Sequence, residues 1–133
     1  MRMRLDPGVS RLRTRSSTEE VGSQLTRAGW DVRVVDVSDA RDKAGLLDAF
    51  ANALSFPSWV GRNWDALDDA LRDLSWWTAG ERGRAIIVAR AGRLDVALDR
   101  EWATLCDVLT SAADRWHGTT TPLGVLVRGR ALG

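Results

Sequence analysis

The chain has almost nothing with which to build a disulfide or a metal site. Its 133 residues include one cysteine, Cys106, which excludes an intrachain disulfide and suits a reducing compartment. One histidine, His117, is the other soft ligand, and the two cannot supply the usual donor set of a zinc site, so no metal or cofactor is expected. The stretch "GERGRA" (80–85) has two glycines but fits neither GxGxxG nor GxxxxGK[ST], so it reads as a loop entering a strand rather than a nucleotide cradle. No apolar run approaches the roughly 18 residues that cross a bilayer. The segment "MRMRLDPGVSRLRTRSS" has the positive charge of a signal peptide without its apolar core, so a cytoplasmic location is expected. Tyrosine is absent and Lys43 is the single lysine. The arginine bias, with abundant alanine and glycine, looks like GC-rich codon usage and says little about chemistry.

What is present suits one soluble domain with a real core: 44% hydrophobic and 28% charged residues. The net charge of +1 hides an uneven placement. Residues 1–29 carry six arginines against Asp6, Glu19 and Glu20, whereas residues 30–133 carry 13 basic and 15 acidic groups. Residues 64–75 hold four aspartates against Arg72 alone. A basic N-terminal segment and an acidic patch are therefore expected.

Residues 1–16 lack hydrophobic periodicity and read as a mobile arm. Ser17 and Glu20 stand at capping-box spacing, predicting a short helix to about Ala28, closed by Gly29. "DVRVVDV" (31–37), "AIIVA" (85–89) and "PLGVLVRG" (122–129) read as strands, and the first has valine on both alternation sets, as in a strand covered on both faces. Ser38 or Asp39 is the expected cap of a helix carrying Leu46, Leu47, Phe50, Ala51 and Leu54, which Pro57 stops. A further helix at about 101–116 carries Trp102, Leu105, Cys106, Leu109, Ala112, Ala113 and Trp116 on one stripe, so Cys106 is expected in the core and His117 on the surface at the helix end. Strands separated by helical segments imply parallel pairing with right-handed crossovers. The expected architecture is α/β, a three-stranded parallel sheet packed with helices. Residues 1–29 would form a basic extension and residues 30–133 the domain.

The informative stretch is "FPSWVGRNWDALDDAL" (56–71). A helix over 64–74 would put Asp65, Asp68, Asp69, Arg72 and Asp73 on one side, and Trp64, Ala66, Leu67, Ala70, Leu71 and Leu74 on the other, at about 100° per residue. Asn63 is a good N-cap, and Asp65 falls where the helix dipole favours an anion. By composition such a face is most often simply solvated. An acid–base or magnesium-dependent enzyme is a second reading, but no His, Lys or Ser stands in a partner position. Trp59, Trp76 and Trp77 lie in or next to the flanking loops, and their positions fit interface anchors as well as side chains folded back over the core. The combination of aromatic loop, capped helix and one-sided acids suits docking into a basic cleft, where carboxylates can occupy phosphate sites. Nucleic-acid binding through the arginine-rich N-terminal segment is a further alternative.

The same stretch resembles the signature of the barstar family, intracellular inhibitors of barnase-type ribonucleases. The shared positions are Pro57, Trp59, Gly61, Asn63, Trp64, Asp65, Ala66, Leu67 and Asp69, with a looser likeness over about 31–130. The resemblance implies the three-stranded fold, no catalysis and no cofactor. It also implies inhibition by occlusion as an immunity- or antitoxin-type partner, one-to-one, with no role for nucleic acid or membrane. Carried over by position, Asp69 would be the central phosphate mimic, Asp65 a second charged contact and Trp59 a stacking aromatic. Asn63 would cap the helix, Gly61 would permit close approach, and Trp76 would match an aromatic after the helix. The implied partner-binding set is Trp59, Val60, Gly61, Arg62, Asn63, Asp65, Asp68, Asp69 and Trp76. Arg62, Asp68 and Ala70 depart from the residues of the family's best-known member, as does Trp64, which fits the family's aromatic-or-Leu position but replaces a Leu there, and Arg62 puts a positive charge beside the interface. The alternative is a module of the same fold for a non-nuclease partner.

Overall fold

In the computed structural model, which describes residues 5–133, Ser17 and Glu20 do form a capping box. Ser17 Oγ accepts from the Glu20 amide at 3.1 Å, and the Glu20 carboxylate accepts from the Ser17 amide at 3.3 Å. They start helix α1 (Thr18–Arg27). The strands are β1 (Gly8–Arg11), β2 (Trp30–Asp36), β3 (Gly83–Ala89) and β4 (Leu123–Val127). All pairings are parallel, in the order β1-β4-β3-β2, with Val9 opposite Val125 and Val125 opposite Ile86.

The sheet thus has four strands, not three. The extra one, β1, lies within the segment expected to be a mobile arm, whose residues Met1–Arg4 lie outside the described residues. A four-residue edge strand with Ser10 and Arg11 exposed leaves no hydrophobic period to read, because its pairing is made by main-chain groups.

β3 is buried along its whole length, as expected of a strand covered on both sides. Ile86 and Val88 point to one core, which contains the apolar faces of helices α2 (Lys43–Ala53), α3 (Trp64–Asp73) and α4 (Asp99–Trp116). Ala85 and Ile87 point to the other, with Val21 and Leu25 of α1, Leu5, Trp30 and Leu126. Residues 5–29 therefore share a core with the rest. Cys106 lies in the larger core, and burial pushes its thiol above the ordinary range. His117 caps α4 and is exposed.

The cap of α2 is Asp42, not Ser38 or Asp39: its Oδ1 accepts from the Gly45 amide at 2.8 Å. The Ser38 amide is taken by Asp36 Oδ1, and Ala40 N–H donates to Val37 O, so the chain makes one more turn before the helix begins.

Candidate functional site

Helix α3 is two-sided. Leu67, Ala70 and Leu71 are buried against the core, while Asp65, Asp69, Arg72 and Asp73 are exposed and Asp68 is half-buried. Asn63 starts it as predicted, its Oδ1 accepting from the Ala66 amide at 2.7 Å. A ten-residue helix is marginal in water by itself. Burial of Leu67 and Leu71, at about 2 kcal/mol each, is what makes it a fixed platform.

The carboxylates differ in what they already hold. Asp68 Oδ2 lies 3.1 Å from Arg72 Nε, an i,i+4 pair. Asp73 accepts from Ser75 Oγ at 3.2 Å. Asp65 and Asp69 have no hydrogen-bond or ion-pair partner among the described residues, and they stand one helical turn apart, with Cβ atoms roughly 5–6 Å from each other. Neither belongs to any group of three acids, histidines or cysteines able to hold a metal, again among the described residues.

The loop before α3 adds the aromatic. Trp59 is 71% exposed, the one exposed aromatic side chain among the described residues. Val60 is buried and its amide donates to Pro57 O, so its side chain anchors the loop rather than offering a contact. Arg62 does not project freely: its Nε lies 2.9 Å from Asp48 Oδ1 of α2, and its Nη1 donates to Val60 O. The positive charge beside the acidic face is therefore paired with a carboxylate. Gly61 has no internal need to be glycine, since a Cβ there would lie 3.5 Å from Asn63 Nδ2 and 3.6 Å from Ala66 Cβ.

The three loop tryptophans separate. Trp59 points to solvent. Trp77 is buried, and its indole N–H donates to Asp31. Trp76 is half-buried, packs edge-to-face on Phe56 and donates to Leu54 O at 3.0 Å. Trp59, Gly61, Arg62, Asn63, Asp65, Asp68 and Asp69 thus form one continuous stretch of loop and helix start, whereas Val60 is turned inward and Trp76 is spent mainly on holding the loop.

Arg84, which sequence reading missed, and Trp116, expected only on the apolar stripe of the 101–116 helix, fix the other end of α3. Arg84, on β3, is 8% exposed. Its Nε donates to Trp77 O at 2.8 Å and its Nη2 to Leu74 O at 3.3 Å. Its guanidinium carbon lies over the rings of Trp77 and Trp116, 5.8 Å and 5.3 Å from their centroids. Burial pulls its pKa below the ordinary arginine value, partly opposed by Asp31. Trp116 N–H donates to Leu71 O at 2.7 Å. Leu74 closes the helix at φ 48, a left-handed conformation usually taken by glycine, held here by its fully buried side chain. A cation and an indole donor at the carbonyl end of a helix complement its dipole. Arg84 stands just before the stretch read as a strand, "AIIVA" (85–89), so no local pattern signals this contact.

A helical layer on each face of a parallel sheet, with a capped acidic helix and an exposed tryptophan beside it, defines an α/β protein whose candidate site is a projecting charged face. The sequence matches the family described as Barstar (barnase inhibitor) over residues 30–128. The chain belongs to the barstar family, and its N-terminal strand and α1 precede the matched region. No curated protein matches it.

Proposed function

We propose that the chain is an inhibitor of a small ribonuclease, of the immunity or antitoxin type, and that it acts by occlusion. Asp69 and Asp65 enter a basic active site in place of RNA phosphates, and Trp59 packs against the rim. The observation that carries this reading is that these two carboxylates, with no partner among the described residues, are presented on a platform capped at one end and tied down at the other. Unpaired charges of this kind are satisfied when a partner supplies guanidinium or ammonium groups in a desolvated contact. Asp68, Arg62 and Asn63 support that contact from its edge, and Gly61 leaves room for a partner's approach. The protein needs no catalytic group or cofactor of its own for this task. One-to-one binding to a barnase-type ribonuclease is expected. Steady-state kinetics test the mode: inhibition should be competitive with an RNA substrate. Inhibition that leaves substrate binding untouched would overturn occlusion. Binding to a protein without nuclease activity, with no inhibition of any ribonuclease tried, would favour an interaction module of the same fold.

A further inference from the structure

The entry of the N-terminal segment into the sheet as β1 gives its arginines a definite place. We propose that the protein carries a second binding site, an arginine-lined cleft at the carboxyl end of the sheet, for a small ligand bearing two or more phosphoryl groups. The site is independent of the inhibitor reading and shares no residue with α3.

The cleft measures about 540 Å³ and is lined by Arg11, Arg13, Arg90, Arg128, Thr18 and Gly129, among others, with no acidic side chain in the lining. Three adjacent strands each deliver an arginine at or just beyond the last residue: Arg11 ends β1, Arg128 follows β4 and Arg90 follows β3. In open parallel sheets the crevice outside the carboxyl ends is where ligands bind. Thr18, the first residue of α1, adds a helix start to the wall. Glu19 and Glu20 in that first turn are not part of the lining.

Two of the four guanidiniums are held in place. Arg128 donates to Thr18 Oγ1 at 2.7 Å and to Ser16 O at 2.5 Å, and Arg90 pairs with Asp36. The other two, Arg11 and Arg13, are exposed and have no hydrogen-bond or ion-pair partner among the described residues. Asp36 offsets the charge of Arg90, but Arg11, Arg13 and Arg128 have no carboxylate partner among the described residues, and a polyanion relieves their mutual repulsion. Guanidinium forks suit phosphoryl oxygens, which accept two parallel N–H donors. The volume lies in the range of small-ligand sites, roughly 300–1,000 Å³. No aromatic side chain lines the cleft, so nothing there stacks bases as single-strand sites do, which favours a compact polyphosphate over an RNA strand.

The test is titration calorimetry of the full chain, at low salt, with inorganic pyrophosphate, ADP and adenosine. Pyrophosphate and ADP should bind with one-to-one stoichiometry and adenosine should not. ADP binding more tightly than pyrophosphate would assign a nucleotide, and equal affinity a free polyphosphate. Arg11→Ala/Arg13→Ala should weaken binding at least tenfold, while Arg82→Ala/Arg100→Ala, which removes two exposed arginines elsewhere, should not. Should the first double variant melt early, Arg13→Ala, outside the strand, carries the comparison. The proposal is overturned by absence of pyrophosphate binding or by equal losses in both double variants. It is overturned equally by single-stranded RNA binding that grows with length and is not displaced by pyrophosphate.

Discussion

The acidic face of α3 and the arginine cleft are both concentrations of unsatisfied charge, but they are built in opposite ways. The acidic face comes from one continuous stretch: a loop, a cap and a helix. Its two free carboxylates, Asp65 and Asp69, are a turn apart on the same helix, and the core behind them is that helix's own apolar side. The cleft is assembled from β1, β3, β4 and the loop before α1, and no two of its strand arginines share an element. Charge presented by a helix is fixed by local periodicity. Charge gathered at strand ends exists only once the sheet order is set. Internal pairing also divides them: half of the cleft's guanidiniums are held by Asp36, Thr18 and Ser16, while Asp65 and Asp69 have no partner among the described residues.

The strongest way to separate the two regions is to disarm each in turn. Asp65→Ala/Asp69→Ala should cost about 4 kcal/mol or more of binding to the target ribonuclease, near a thousandfold, since truncating one side of a desolvated charge pair costs roughly 2–5 kcal/mol. Arg11→Ala/Arg13→Ala should leave that affinity within about threefold, well under the 1.4 kcal/mol of a tenfold change. Equal losses measured by calorimetry would erase the distinction. Next in size is Arg84→Ala, which removes the donors to Leu74 O and Trp77 O from a buried site. Urea unfolding should show a loss of about 2–4 kcal/mol. A change under about 0.5 kcal/mol, the usual range of surface substitutions, would show that the carboxyl end of α3 is not tied down as described.

Smaller effects sharpen the picture of the acidic region itself. Trp59→Ala should weaken the complex at least about tenfold, as hot-spot aromatics do, yet leave unfolding stability unchanged because the ring is exposed. Loss of stability instead would mean the ring packs on its own chain. Asn63→Ala should cost about 1 kcal/mol in thermal or urea unfolding through loss of the cap on the Ala66 amide. An unchanged midpoint would argue that core packing alone sets the start of α3.

The same contrast explains what could be read from the sequence. Strands β2, β3 and β4 announced themselves through Val, Ile and Leu on both faces, and α3 through its Asn63 cap and the division of Asp from Leu. Capping-box spacing located α1. β1 was invisible because Val9 is the only large apolar residue among its four, and main-chain pairing leaves no mark on side-chain pattern. The extra turn before α2 hid the cap at Asp42, because Asp36, Ser38 and Asp39 offer equally suitable side chains nearby. The pairing of Arg62 with Asp48, fourteen positions away in sequence, and the grip of Arg84 on α3 are tertiary contacts with no local signature.

In the proposed mode of inhibition, Asp69 of α3 stands in for an RNA phosphate. The most direct measurement is inhibition of a barnase-type ribonuclease by the purified protein, with Asp69→Ala and the exposed-site control Asp114→Ala alongside. Potent inhibition is expected from the wild type and from Asp114→Ala, and a loss of about 2 kcal/mol or more, some thirtyfold, from Asp69→Ala. Inhibition of equal strength by all three proteins would contradict it.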